Sequence, residues 1–273
     1  RLSWWAAGAV CQAKPAIYQI VEANLGQVLG NSVDAATLQQ NVRQVFYTTL
    51  RSHFDLFRTL HLPAEEAIRL VDLPDRARAW LESLREQASG SVLVFPHMGG
   101  FDVAAQAIAS AIGGVQVLSL PNPPAGFLLT NELRQRSGIE FTPLTAQALR
   151  QAVKRLRAGG FVSVAADRPV SDVDKPVLFF GRPARVPSGH VRLALQTDSV
   201  LVVGCSFLSP ETGKYTVHLQ PPMELIRTGN REEEVEVNMR RVLDLLESFI
   251  GRWVGQWQMF VPVWPDLLEG EGA

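Results

Sequence analysis

The sequence predicts an α/β protein, a mixed central sheet flanked by helices and preceded by a helical N-terminal region. Up to residue 90 the apolar residues recur at helical spacing, and beyond it short apolar runs rich in β-branched residues alternate with helical repeats. With 273 residues, 47% hydrophobic and 19% charged, the chain has material for one large core. The reading therefore divides it into a helical region, 1–90, packed on an α/β core, 91–273, together one structural domain.

Helical periodicity covers 18–29, 38–60 and 76–87, with Asp34 and Asp75 as helix starts, Asp75 following Pro74. Strand and helix patterns then alternate over 92–95, 101–112, 115–120, 127–136, 146–157, 161–165, 191–197 and 200–207. Residues 215–219 alternate as a further strand, and 231–250 form a long amphipathic helix. Between them, 167–190 reads as a long loop with four prolines and three arginines and no helix of its own. Loops of that length in a compact domain are usually functional or disordered.

A net charge of −1 gives no global attraction to nucleic acid or anionic lipid, so any basic surface is local. Cys11 and Cys205 have neither metal-ligand spacing nor a disulfide framework, which favours a reducing compartment. No window holds the ~18 uninterrupted apolar residues of a spanning helix. The stretch from Leu2 to Val10 is apolar and carries Trp4 and Trp5, which suits either a bilayer surface or a first helix packed on the core. His53, His61, His190 and His218 lack the i, i+4 pairing of a helical zinc site, and neither a G-x-S-x-G elbow nor a phosphate-binding G-x-x-x-x-G-K-[ST] loop occurs. No metal is expected.

One turn concentrates chemistry. The apolar run Val92-Leu93-Val94-Phe95-Pro96 leads into His97-Met98-Gly99-Gly100-Phe101-Asp102, and an apolar helical pattern follows. This sets an imidazole and a carboxylate at the carboxyl end of a buried strand, where open α/β sheets bind ligands. A neutral histidine accepts protons near pH 7 when a partner fixes its tautomer, and Asp102 is the expected partner. Gly99 and Gly100 allow a tight turn with unobstructed amides, and the helix N-terminus beyond favours anions.

The surrounding chain resembles the H-x4-D/E acyltransferases, and more closely the bacterial branch containing the lipid A lauroyl/myristoyl and phosphatidylinositol mannoside acyltransferases. Four stretches carry the resemblance: Phe95-Pro96-His97-Met98-Gly99-Gly100-Phe101-Asp102; Arg136-Ser137-Gly138-Ile139; Ala166-Asp167-Arg168-Pro169 with Phe179-Phe180-Gly181-Arg182-Pro183-Ala184-Arg185-Val186-Pro187-Ser188-Gly189; and Gly255-Gln256-Trp257. Their order and spacing agree over nearly the whole chain. The resemblance implies a glycerolipid-acyltransferase-like fold and transfer of a fatty acyl group from acyl-carrier protein or acyl-CoA to a hydroxyl of a membrane glycolipid. The acyl thioester is then the donor substrate, and no cofactor is needed.

On this reading His97 and Asp102 are catalytic, and Gly99, Gly100, Arg136, Asp167, Arg168 and Arg182 bind substrate. Amides near Gly99 and Gly100 would meet the oxyanion, and Phe101, Phe127, Leu128 and Leu129 would line an acyl groove. Guanidinium groups suit phosphate because they present a fixed fork of donors, which favours Arg168 over Arg185 as a phosphate or pantetheine contact. Several relatives of the mannoside-acylating branch have a glutamate where this chain has Arg182, so Asp167, Asp172 or Asp174 would replace it here, or the acceptor differs. The implied partners are an acyl donor, a glycolipid and a membrane surface at the cytoplasmic face of the bacterial inner membrane, with attachment peripheral or through an anchor preceding Arg1. Two alternatives are a non-catalytic lipid-binding protein on the same scaffold and a lysophospholipid or glycerol-phosphate acyltransferase. The second usually carries a Phe-Pro-Glu-Gly motif, absent from this sequence.

Overall fold

The computed structural model describes residues 2–30, 32–59, 66, 68–120, 138–170 and 174–269. Three helices open the chain: α1 (Leu2–Ala13), α2 (Ala16–Leu29) and α3 (Ala35–Thr59). The start of α3 is set by Asp34, whose carboxylate accepts the Thr37 amide at 2.9 Å and the Thr37 hydroxyl at 2.7 Å. The helix α2 ends at Gly30, where φ is +77° and a side chain would be strained.

The α/β part follows in the order β1 (Val71–Asp72), α4 (Asp75–Glu86), β2 (Ser91–Phe95), α5 (Phe101–Ile112), β3 (Val115–Ser119), β4 (Ile139–Pro143), α6 (Ala146–Arg157) and β5 (Phe161–Ala165). Then come β6 (Val177–Phe179), β7 (Arg182–Ala184), α7 (Gly189–Thr197), β8 (Val200–Leu208), β9 (Tyr215–Leu219), α8 (Arg231–Arg252), a 3-10 turn (Val254–Gln256) and α9 (Asp266–Glu269). Seven strands form a mixed sheet in the order β1-β9-β8-β2-β5-β3-β4, parallel except where β9 runs against β8.

Residues 92–94 of β2 are buried between both faces, which is why they read as an unbroken apolar run rather than an alternating one. One face is covered by α4 and α5, whose Leu81, Leu84, Ile108 and Ile112 pack with Leu93, Phe161 and Val202. The other is covered by α6, α7, α8 and the N-terminal helices, with Leu156, Leu195, Leu246 and Val42 in the core that includes Val92, Val94, Val162, Leu201 and Val203. The connection leaving β2 crosses one face through α5, whereas the chain leaving β5 reaches α7 on the opposite face. That divergence opens a crevice between the carboxyl ends of β2 and β5, the position at which such sheets bind ligands.

Most predicted elements agree with the structure to within two or three residues; the pattern over 127–136 lies outside the described residues. The differences have local causes. β4 is an edge strand whose alternation, Ile139-Glu140-Phe141-Thr142, spans four residues before Pro143, too short a run to stand out in the sequence. The stretch expected as loop over 167–190 contains the antiparallel hairpin β6–β7, three residues a side, and the start of α7 at Gly189. Its turn is Phe180-Gly181, both at positive φ, +49° and +72°, as a two-residue primed hairpin demands. Phe180 tolerates this because Glu247 accepts its amide at 3.1 Å and Gln27 donates to its carbonyl at 3.0 Å.

Leu201 on β8 is wholly buried in the face that joins the sheet to α8. Leu201→Ala is expected to cost about 2–5 kcal/mol by lost transfer and residual cavity, read from denaturant unfolding; a loss below about 1 kcal/mol would contradict this packing.

Candidate active site

The register of the two central strands builds the site. In the parallel pair β2–β5, Ser91 lies opposite Phe161 and Phe95 opposite Ala165. Two residues further along each strand stand His97 and Asp167, and they meet. The Asp167 carboxylate accepts the His97 backbone amide at 2.7 Å through Oδ2 and lies 2.6 Å from His97 Nδ1 through Oδ1. Trp257 Nε1–H donates to the same Oδ2 at 2.9 Å.

Asp167 is fully buried. Burial raises its pKa, but the His97 ring, its hydrogen bond, the Trp257 indole and the His97 amide together outweigh this and hold the carboxyl below the usual carboxylate value. An ionised carboxylate only accepts, so the proton between them sits on Nδ1, and in the neutral ring the lone pair belongs to Nε2. His97 keeps partial exposure, its ring edge-to-face with Phe101 at 5.6 Å between centroids. The imidazole therefore reaches the surface of the site while the carboxylate that orients it lies beneath, buried.

This corrects the sequence expectation. Asp102 lies in the first turn of α5 and lines the same cavity as His97, but the Nδ1 position belongs to Asp167. The H-x4-D spacing draws attention to a carboxylate near in sequence, whereas strand register delivers one 70 residues away. Asp167, expected to bind substrate, is hydrogen-bonded to both the ring and the amide of His97.

The turn after His97 is clamped from its other side by the segment following the 3-10 turn. Met98 and Trp257 form an antiparallel bridge, the Gly99 amide donates to the Gln256 carbonyl at 3.0 Å, and the Gln258 amide donates to the His97 carbonyl at 2.7 Å. The Gln258 side chain donates to the Gly99 carbonyl. Gln256 also extends the β8 ladder, accepting the Leu208 amide at 2.7 Å and donating to the Leu208 carbonyl at 3.0 Å. Gly99 has φ +59°, and a Cβ there would lie 2.3 Å from the Ser206 carbonyl oxygen. Its glycine is required by close backbone approach, and its amide is already spent on Gln256, so it is not an oxyanion donor. Gly100 precedes α5, whose first-turn amides have no partner within the helix itself.

Around this pair opens a cavity of about 420 Å³, predominantly apolar, lined among the described residues by Phe95, His97, Phe101, Asp102, Ala105, Ile108, Val117, Phe141, Leu149, Arg168, Leu193 and Val261, with Thr49 and His53 contributed by α3. That size lies in the range of small-ligand pockets. Arg168 stands next to Asp167 and lines the cavity; burial lowers its pKa while the Asp167 charge opposes the shift. His190, also in the wall, is buried and pushed down to about 4 by desolvation, the Pro187 carbonyl opposing; it stays neutral.

Other expected residues lie elsewhere. Arg182 is on β7 and ion-paired with Asp266, away from the cavity lining. Arg185 donates to the Asp174 carbonyl at 2.6 Å. Arg136, Asp172, Phe127, Leu128 and Leu129 lie outside the described residues. Phe179, Phe180, Trp257 and Trp264 form an aromatic cluster with centroid separations from 4.8 to 6.5 Å. The Phe-Phe-Gly block thus walls in the Trp257–Asp167 hydrogen bond. Sequence reasoning missed Trp257 as a donor to Asp167, although Gln256-Trp257 was visible as a motif; Thr49 and His53 carried no signal.

The family model of the bacterial lipid A biosynthesis acyltransferases matches residues 2–265. The chain is similar to a phosphatidylinositol mannoside acyltransferase of Mycolicibacterium smegmatis, with 25% identity over 273 residues, 97% of this chain and 85% of that protein. It is 26% identical over 260 residues to the protein of the same name from Mycobacterium tuberculosis, covering 92% and 78% respectively.

Asp167→Asn leaves the shape but loses the charge, and one buried hydrogen-bonding arm loses its partner, at an expected cost of about 1–3 kcal/mol at pH 7. Because the folded-state pKa is depressed, the stability due to the charge is fully present above the unfolded-state value of about 3.9 and is lost as pH falls through the lower folded value. The gap in unfolding free energy between wild type and variant is therefore expected to narrow below pH ~4. A gap that widens on acidification would contradict the assignment.

Proposed function

The chain belongs to the bacterial lipid A biosynthesis acyltransferase family and is an O-acyltransferase, and from that premise we propose that it carries a fatty acyl group from acyl-CoA or acyl-carrier protein to a hydroxyl of a membrane glycolipid, with His97 as general base. The observation that carries the reading is the buried Asp167 beneath His97 at the wall of an apolar cavity. The similarity to proteins named phosphatidylinositol mannoside acyltransferases supports a glycolipid acceptor.

In the proposed reaction His97 Nε2 takes the proton of the acceptor hydroxyl while its oxygen attacks the thioester carbonyl. The tetrahedral intermediate collapses with cleavage of the carbon–sulfur bond, and the imidazolium returns its proton to the departing thiolate. Ester and free thiol result, with no covalent acyl-enzyme. Asp167 holds the Nδ1–H tautomer and stabilises the imidazolium. Gly100 and the first-turn amides of α5 are the proposed oxyanion donors, and Asp102, on the cavity wall, is a second carboxylate at the acceptor's approach. The apolar lining suits an acyl chain, each buried methylene contributing about 0.8 kcal/mol. Arg168 is the proposed contact for a phosphate of the donor or acceptor, because a guanidinium partly withdrawn from water gains most from an anionic ligand. We assign the reaction to the cytoplasmic face of the bacterial inner membrane, where a water-soluble thioester and a lipid acceptor meet.

The test is thioester consumption by the purified protein with acyl-CoA and acyl-carrier-protein donors over pooled bacterial glycolipids, with mass spectrometry of the product. Transfer is expected from at least one donor, and His97→Ala is expected to lower kcat by about 10²–10⁴; full activity in a folded His97→Ala protein would refute the base. Arg168→Met is expected to raise the KM of the phosphate-bearing substrate with a smaller change in kcat, and an unchanged KM for both substrates would remove Arg168 from the site.

A further inference from the structure

The helix α3 has two adjoining faces. Thr49 and His53, four residues apart, line the active-site cavity. Beside them Leu50, Phe54 and Phe57, spaced i, i+4 and i+7, form a second stripe that is exposed, Phe54 to 61%. The first turn of α1 lies alongside: Trp4 packs edge-on against Tyr47 at 5.5 Å between centroids, one turn before Leu50, and under the Arg43 guanidinium at 4.1 Å. The next residue, Trp5, is 76% exposed. Large apolar side chains gathered this way on a surface mark an interaction site.

Charge distinguishes the occupant. Along α3 stand Arg43, Arg51 and Arg58 against one carboxylate, Asp55. Asp55 is wholly buried and turned inward, bonded to Arg51 at 2.6 Å and to the Tyr215 hydroxyl at 2.8 Å. Arg51 is thereby paired and Arg43 lies half-buried over Trp4, while Arg58 is exposed, so the surface presents indole and phenyl rings with guanidinium groups in excess and no exposed carboxylate of α3. Tryptophan prefers the membrane–water boundary, and basic groups beside an apolar face favour anionic headgroups.

We propose that the face formed by Trp5, Leu50, Phe54 and Phe57 docks on a bilayer containing anionic lipid, with Arg58 at headgroup level. Because α3 supplies both this stripe and a wall of the cavity, docking sets the cavity beside the lipid surface, so the acceptor hydroxyl reaches His97 without leaving the headgroup region. No helix among the described residues is long and apolar enough to cross a membrane, so this face is a surface contact and not a span. The inference rests on the reading of the cavity as the site of a lipid acceptor.

The experiment is sedimentation with phosphatidylcholine vesicles, with and without phosphatidylglycerol. Wild type is expected to bind the mixed vesicles more tightly than the neutral ones. The triple variant Leu50→Ser, Phe54→Ser, Phe57→Ser is expected to lose at least about tenfold in partitioning, with unchanged circular dichroism and unchanged acyl transfer to detergent-dispersed glycolipid. A Phe54→Cys protein carrying an environment-sensitive fluorophore is expected to shift to shorter wavelength on addition of mixed vesicles. Wild-type partitioning in the triple variant, or unshifted emission at position 54, overturns the proposal. So does a concentration-dependent dimer in wild type that the triple variant loses, since the stripe would then face a second copy. Vesicle binding by this face without acyl transfer in any medium upholds the docking and defeats the enzymatic reading of the cavity; transfer in detergent without vesicle binding does the reverse.

Discussion

A carboxylate with no exposure to water persists as an ion only where donors replace its hydration, and at Asp167 three N–H groups do so: the His97 amide, the His97 ring and the Trp257 indole. Each donor comes from a different constraint. The amide and the ring are delivered by the parallel register of β2 and β5, which sets residues 70 apart side by side. The indole is delivered by the C-terminal segment, which pairs with the turn after His97 and is wedged by Phe179, Phe180 and Trp264. A shift of one strand by a residue would bring a different side chain to His97, so sheet register and the geometry of this pair are one constraint.

The same constraint explains where the sequence was legible. Residues 92–95 announce a strand because burial on both faces requires an unbroken apolar run, 161–165 because aromatic and β-branched residues are interrupted only by Ser163, and α6 and α8 announce helices because each buries one stripe only. His97 was legible because the motifs around it, from Phe95-Pro96 to Gly255-Gln256-Trp257, occur together in order. Its partner was not. Local spacing favoured Asp102, and nothing in a linear pattern tells which strand lies beside β2; β3 follows it in sequence, but β5 and β8 flank it in space. The Phe-Phe-Gly block was visible as a motif, yet its work is to enclose Trp257, a tertiary role that no spacing reports.

The N-terminal helices link the site to its surroundings. They complete the core on one face of the sheet, and α3 also reaches the active-site cavity through Thr49 and His53. A helix that serves core, cavity and surface at once must carry three kinds of residue on three sides. That division accounts for the exposed aromatics of α3, which neither propensity nor core packing requires.

The central claim is that His97 is held as the Nδ1–H tautomer by Asp167, leaving Nε2 as the base. Long-range nitrogen–proton NMR of the ¹⁵N-labelled histidine rings reads this directly. The account predicts, for neutral His97, a protonated Nδ1 and an unprotonated Nε2, with the preference lost in Asp167→Asn. A protonated Nε2 in the wild-type protein, or a tautomer indifferent to Asp167, would contradict it.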